Sequence, residues 1–312
     1  MLKLVARRLL LSVPLLLVVS TATFFLVALI PGDAARTLLG SGATEAQYDQ
    51  LRRALGLDEP LPVRFSTWLE GAVTGDLGTS IFGQVPVATL ISSRLSVTLS
   101  LVVGSTLVAA LLGLLLGIAG ALRPRLGRVL DVLALAGLAI PSFFLGLLLV
   151  AWFAVAIPLF PATGYVEPTQ SPGAWLQSLV LPVFTLALPG VAVIAKQTRD
   201  AMRDVLDRPF VRTLRACGLS RRSIVFKHVL RSAAIPVVTV VGLVFVGALS
   251  GAVLVESVFA LPGLGTLAVQ ATTQRDLPLI QGVAVAFTLI VIAVNLVVDL
   301  LYGWLDPRVR SG

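Results

Sequence analysis

Apolar residues in this chain come in long blocks separated by short charged stretches, not at the spacing of a soluble core. Six blocks stand out, at about 9–30, 97–121, 129–157, 179–195, 233–255 and 279–302. A helix needs roughly 20 apolar residues to cross a bilayer, so each block predicts one membrane span. The fourth is the least regular, because Pro182 and Pro189 interrupt it. The first follows Lys3, Arg7 and Arg8, as in a signal peptide. Its length exceeds the ~7–15 residues of a cleaved signal's apolar core, so a retained first helix is expected.

The flanking charges test that count. With the N-terminus inside, the inner segments are the N-terminus, residues 122–128, residues 196–232 and the C-terminus. These hold 18 of the 24 Lys and Arg residues. The outer side keeps Arg36, Arg52, Arg53, Arg64, Arg94 and Arg275. Such asymmetry matches the positive-inside rule and predicts six spans with both ends inside.

Composition narrows the class further. The 312 residues are 57% hydrophobic and 13% charged, far from the roughly one-quarter charged content of soluble domains. The formal charge of +8 is explained by topology rather than by a nucleic-acid partner. With Cys217 the single cysteine and His228 the single histidine, disulfides, thiol clusters and multi-His metal sites lack partners. No Gly-Lys pair exists to build a phosphate-binding P-loop, and the metalloprotease and nucleophile-elbow motifs are absent. Asp131, Glu256 and Asp299 all fall toward span ends, where structural pairing is expected and a mid-membrane proton relay is not.

Residues 31–95 form a polar insert on the outer side. The stretch 44–57 predicts an amphipathic helix with a Thr44/Gln47 capping box, Leu51 and Leu55 on one face, and a left-handed stop at Gly56. A packed cap over the outer mouth and a docking surface for an extracytoplasmic partner both fit. Gly113/Gly117 and Gly247/Gly251 have the spacing that permits close helix packing. Pro141, Pro182, Pro189 and Pro236 mark bending points within spans.

The longest inner segment, 196–232, predicts helix–turn–helix. Asp207 and Pro209 suit a helix start. Phe210, Leu214 and Cys217 fall on one face, with Arg212 and Arg215 elsewhere on the wheel. Gly218 suits the left-handed stop, and Ser220 can cap a second helix from Arg221 to Arg231. A loop that only orients the protein is one reading. A DNA-binding motif is a second, set aside because no third helix or soluble domain supports it. A docking helix for a partner groove is the third, and it alone uses both the apolar face and the turn.

The stretch "FVRTLRACGLSRRSIVFKHVLRSAAIP" (210–236) resembles the EAA-type loop of bacterial ABC-importer permeases, in the dipeptide/oligopeptide/nickel branch. "LIPGD" (29–33), "LGLDEPLPVRF" (55–65), "GDLGTS" (75–80), "VLVESVFALPGLG" (253–265), "DLPLIQG" (276–282) and "DLLYGWLDPRVR" (299–310) agree with it in order. The resemblance implies an all-α integral membrane protein with the type I ABC-importer permease fold. Its parts would be a first helix ending near residue 30, an extracytoplasmic insert over 31–95, a five-helix core over 96–305 and a cytoplasmic tail over 306–312.

The resemblance also implies a non-catalytic subunit of the bacterial inner membrane. Its partners would be a homologous second permease, two cytoplasmic ATPase subunits that bind ATP and magnesium, a solute-binding protein outside, and membrane lipid. Arg212, Thr213, Arg215, Ala216, Gly218 and Leu219 match the loop pattern. Phe210 and Leu214 join them as coupling residues. Leu214 and Cys217 depart from the pattern, where the family shows alanine and lysine. Short peptides are the implied cargo, with nickel or another small solute as the alternative within the family. An ion-coupled secondary carrier is the alternative from another class; it predicts mid-membrane charges and internal repeats.

Overall fold

The computed structural model describes residues 2–29, 34–40 and 42–305. Most of "LIPGD" and the tail from Asp306, with Arg308 and Arg310, lie outside the described residues. The described chain is predominantly helical, with turns, an irregular stretch over 157–171 and one isolated antiparallel bridge between Thr79 and Pro86. Among the described residues, five helices are long and apolar enough to cross a membrane, over Val5–Ala28, Val87–Leu122, Pro172–Leu206, Arg221–Val258 and Leu277–Leu305.

Two compact units emerge. The first comprises Thr98–Leu261 and the chain from Val294. At its centre is α8 (Pro172–Leu206), packed against α6 (Pro124–Ala139), α7 (Ser142–Val150) and α11 (Leu230–Val258). Ala109 on α5 (Val87–Leu122) and Ala187, Val191, Ile194 and Val237 form one buried cluster there. Small residues let α5 approach closely. A β-carbon on Gly113 would come within 2.7 Å of Ile194, and one on Gly117 within 2.5 Å of Thr198. The Gly247/Gly251 pair is used differently: Gly247 faces open space, beside a cavity of about 390 Å³ between α8 and α11.

The third apolar block is two helices, not the single span the pattern predicts. Ile140 and Pro141 are extended, with ψ of 123° and 138°, so α6 stops and α7 starts afresh. Proline lacks an N–H and disfavours helical backbone before it, which accounts for the break. A π-helical stretch, Ala151–Ala156, continues α7. By contrast, α8 runs unbroken through Pro182 and Pro189. Its 35 residues extend about 52 Å, well beyond a hydrocarbon core of about 30 Å. The excess at its C-terminal end carries Lys196, Arg199 and Arg203.

The second unit comprises Leu2–Val97 and Pro262–Ala293. It holds α1 (Leu2–Ala28), α2 (Ala34–Leu39), α3 (Glu45–Ala54), α4 (Leu61–Thr74) and α12 (Leu264–Gln274), and the N-terminal part of α13 (Leu277–Leu305). The expected capping box forms, with Gln47 Oε1 accepting from the Thr44 amide at 2.8 Å. Gly56 adopts φ +64°. Asp276 is fully buried and caps α13 through the Leu279 amide at 3.3 Å. It also accepts from Ser80 Oγ at 2.5 Å, which pins the 75–86 turns to α13.

Candidate docking surface around Pro209–Ser223

Leaving α8, the chain turns at Asp207 and Arg208 into the short helix α9 (Pro209–Ala216), with Pro209 at its first position as expected. The helix ends in a Schellman motif. The Leu219 amide donates to the Leu214 carbonyl at 3.2 Å, and the Gly218 amide to Arg215 at 3.0 Å. Gly218 has φ +77°, a conformation that side chains with a β-carbon resist. Ser220 Oγ then accepts from the Ser223 amide at 3.3 Å and caps α10 (Arg221–Ser223). Helical backbone continues through a π-helical stretch, Ile224–Val229, directly into α11. The second helix of the motif is thus the root of a membrane helix rather than a separate element.

The apolar face differs from the expected one. Val211 is fully buried, and Leu214 and Leu219 pack with it against Met202, Val205, Ile224, Val225 and Val229. Phe210 and Cys217, predicted to share a face with Leu214, are exposed. At 100° per residue Leu214 lies about 40° from Phe210 and about 60° from Val211, and the underlying cluster draws it to the Val211 side. So α9 is held from below by Val211, Leu214 and Leu219. Outward it presents Phe210, Arg212, Thr213, Arg215, Ala216 and Gly218.

This outer surface is strongly basic. Arg208, Arg212, Arg215, Arg221 and Arg222 are exposed, and Asp207 is the exposed acid among them. Cationic side chains around an apolar tip at Phe210 suit a groove with an acidic rim and an apolar floor. The α8 turn before it is braced by charge. Arg199 pairs with Asp131 on α6 at 2.5 Å and with Asp200 at 2.8 Å. Asp131, which in sequence sits beside Arg128, finds its partner on another helix. Glu256 is fully buried and accepts from Thr98 Oγ1 at 2.6 Å, consistent with a structural pairing near the end of its helix.

Comparison with known proteins gives a consistent pattern. Residues 109–311 match the family model described as "Binding-protein-dependent transport system inner membrane component". Residues 1–102 match the N-terminal model of the same system. The chain is 40% identical, over 98% of both chains, to the "Putative peptide transport system permease protein" of Brucella abortus strain 2308. It is 41% identical, over 99% of both chains, to the glutathione transport system permease protein of Salmonella choleraesuis.

Proposed function

Because the chain belongs to the binding-protein-dependent transport system inner membrane components, we propose that it carries di- and oligopeptides across the bacterial inner membrane as one half of an ATP-driven importer. The peptide reading is supported by relatives named as peptide and glutathione permeases, the latter's cargo being itself a small peptide. The chain pairs with a homologous permease to complete the pathway. Both termini and α9 face the cytoplasm, and the 31–95 insert faces a solute-binding protein outside. Two ATPase subunits bind ATP and magnesium below, and membrane lipid surrounds the spans.

The observation that carries this reading is α9: a short helix bolted onto the root of two long helices, with a basic outer face around Phe210. Closure of the ATPases on ATP displaces α9 as a rigid body. The long helices then switch access from one side to the other, because each nucleotide state binds one arrangement more tightly. Arg212, Thr213, Arg215, Ala216 and Phe210 meet the ATPase; Leu214, Gly218 and Leu219 hold the shape of the helix that meets it. Purification of the tagged chain from a mild detergent tests the reading. Stoichiometric ATPase subunits and ATP-dependent peptide uptake after reconstitution support it; a lone chain that transports in liposomes without ATP sinks it.

A further inference from the structure

The end of α5 and the first two turns of α6 are tied to α8 by two arginines. Arg199, whose side chain is 8% exposed, reaches 2.5 Å from the Asp131 carboxylate. Its Nη1 also donates to the Gly127 carbonyl at 2.9 Å. Its Nε donates to Asp200 at 3.0 Å. One turn on, Arg203 Nη2 donates to the Gly120 carbonyl at 3.4 Å. The two glycines make room for this: a β-carbon on Gly127 would stand 3.0 Å from the Gly120 oxygen and 3.3 Å from Arg199 Cδ. A guanidinium presents its donors in one rigid plane, so it fixes direction as well as distance. For α6 to slide along α8, a nearly buried cation must lose one of its anions, which is costly.

What lies at the two ends of this clamp gives it a direction. Toward its C-terminus, α8 shares the cluster of Ala201, Met202 and Val205 with Val211 of α9. Toward the far end of α6, the helix stops at Ile140–Pro141. Between clamp and break lies a cavity of about 300 Å³, lined among others by Asp131, Gly137, Ile140, Leu188 and Arg199. A break in helical hydrogen bonding beside free volume is where a packed structure can bend.

We infer that Arg199 is a positioning residue that makes α6 travel with α8 and α9 as one body, so that displacement of α9 reaches the hinge at Ile140–Pro141. The inference rests on the coupling role proposed for α9. Leu116 of α5 and Leu145 of α7, which complete the cavity wall, shift relative to that body while the clamp itself stays unchanged.

Two measurements on the assembled transporter, with its ATPase subunits and binding protein, test it. In a Cys217→Ser background, spin labels replace Val129 on α6 and Asp204 on α8, both exposed. ATP is expected to leave the label separation unchanged, and to change it once Arg199→Gln is added. A separation that already responds to ATP without Arg199→Gln, or that stays fixed with it, overturns the inference. The second measurement is uptake per ATP hydrolysed. Arg199→Gln is expected to lower that ratio about 2- to 30-fold, the range that single changes in coupled networks span. Arg199→Lys, which keeps the charge and loses the fork, recovers part of it. Uptake and hydrolysis falling in equal proportion mark Arg199 as a folding residue and count against positioning. Asp131→Asn is the milder arm should Arg199→Gln fail to assemble, because Asp131 is 40% exposed; an unchanged ratio there has the same adverse meaning. Failure of the wild-type chain to hold its ATPases would sink the proposed function instead, and is read separately.

Discussion

The amide of Leu219 and the carbonyl of Leu214, 3.2 Å apart, close the end of α9 around Gly218 at φ +77°. Gly218→Val forces a β-branched residue into the left-handed region, at a cost of about 1–2 kcal/mol or more. A β-carbon there meets nothing within 4 Å, so the penalty is conformational and confined to the turn. The variant is expected to insert and assemble but to lose most ATP-driven uptake. Wild-type uptake with the valine in place would refute the importance of the turn.

Arg212→Glu with Arg215→Glu reverses two exposed cations on the outer face of α9. Neither side chain holds the fold, so thermal stability should change by less than about 0.5 kcal/mol. ATPase subunits should dissociate at salt concentrations that leave the wild-type complex intact, since reversed charges on a docking face oppose a complementary partner. Size-exclusion chromatography across a salt series reads this out.

Neighbouring residues on α9 separate holding from docking. Val211 is fully buried, and Val211→Ala should cost about 2 kcal/mol in thermal unfolding of the purified chain. Phe210 is 39% exposed, so Phe210→Ala should barely move the melting temperature while weakening ATPase retention. If both variants destabilise the chain equally, the assignment of an inner and an outer face is wrong.

The two glycine pairs should also part company. Gly117→Ala places a methyl group 2.5 Å from Thr198 and 2.7 Å from the Ala195 carbonyl, an overpacking expected to cost about 1–3 kcal/mol. Gly247→Ala meets nothing within 4 Å and removes a helix-destabilising glycine, so stability should hold or rise slightly. A melting-temperature comparison in one detergent decides between them.

Much of this was legible in the residues. The apolar blocks gave the long helices, and the Thr44, Gly56, Pro209, Gly218 and Ser220 signals appeared where local chemistry placed them, because caps and turns depend on near neighbours. Partners distant in sequence were not legible. Nothing near Asp131 in the chain points to Arg199, and nothing in "QRDLPL" shows that Asp276 will be buried against Ser80. The helix α12, whose Leu264, Leu267, Ala268 and Ala271 keep helical spacing, was missed because its eleven residues are too few to span a membrane and lie between the long apolar blocks. The prolines had different outcomes for a reason of packing. Pro182 is buried and Pro189 sits in a helix enclosed on several sides, whereas Ile140 beside Pro141 is exposed, and little there opposes the break.

The length of α8 has a simple geometric consequence. With 35 residues, its end lies about 26 Å from its middle, at 1.5 Å per residue. A tilt of about 5° around that middle swings the tip sideways by about 2 Å. That is comparable to the margin between a hydrogen bond and no bond at all. Large rearrangements are therefore unnecessary at the membrane's centre: a few degrees there and a few ångströms at Asp207 are the same event, measured at different radii.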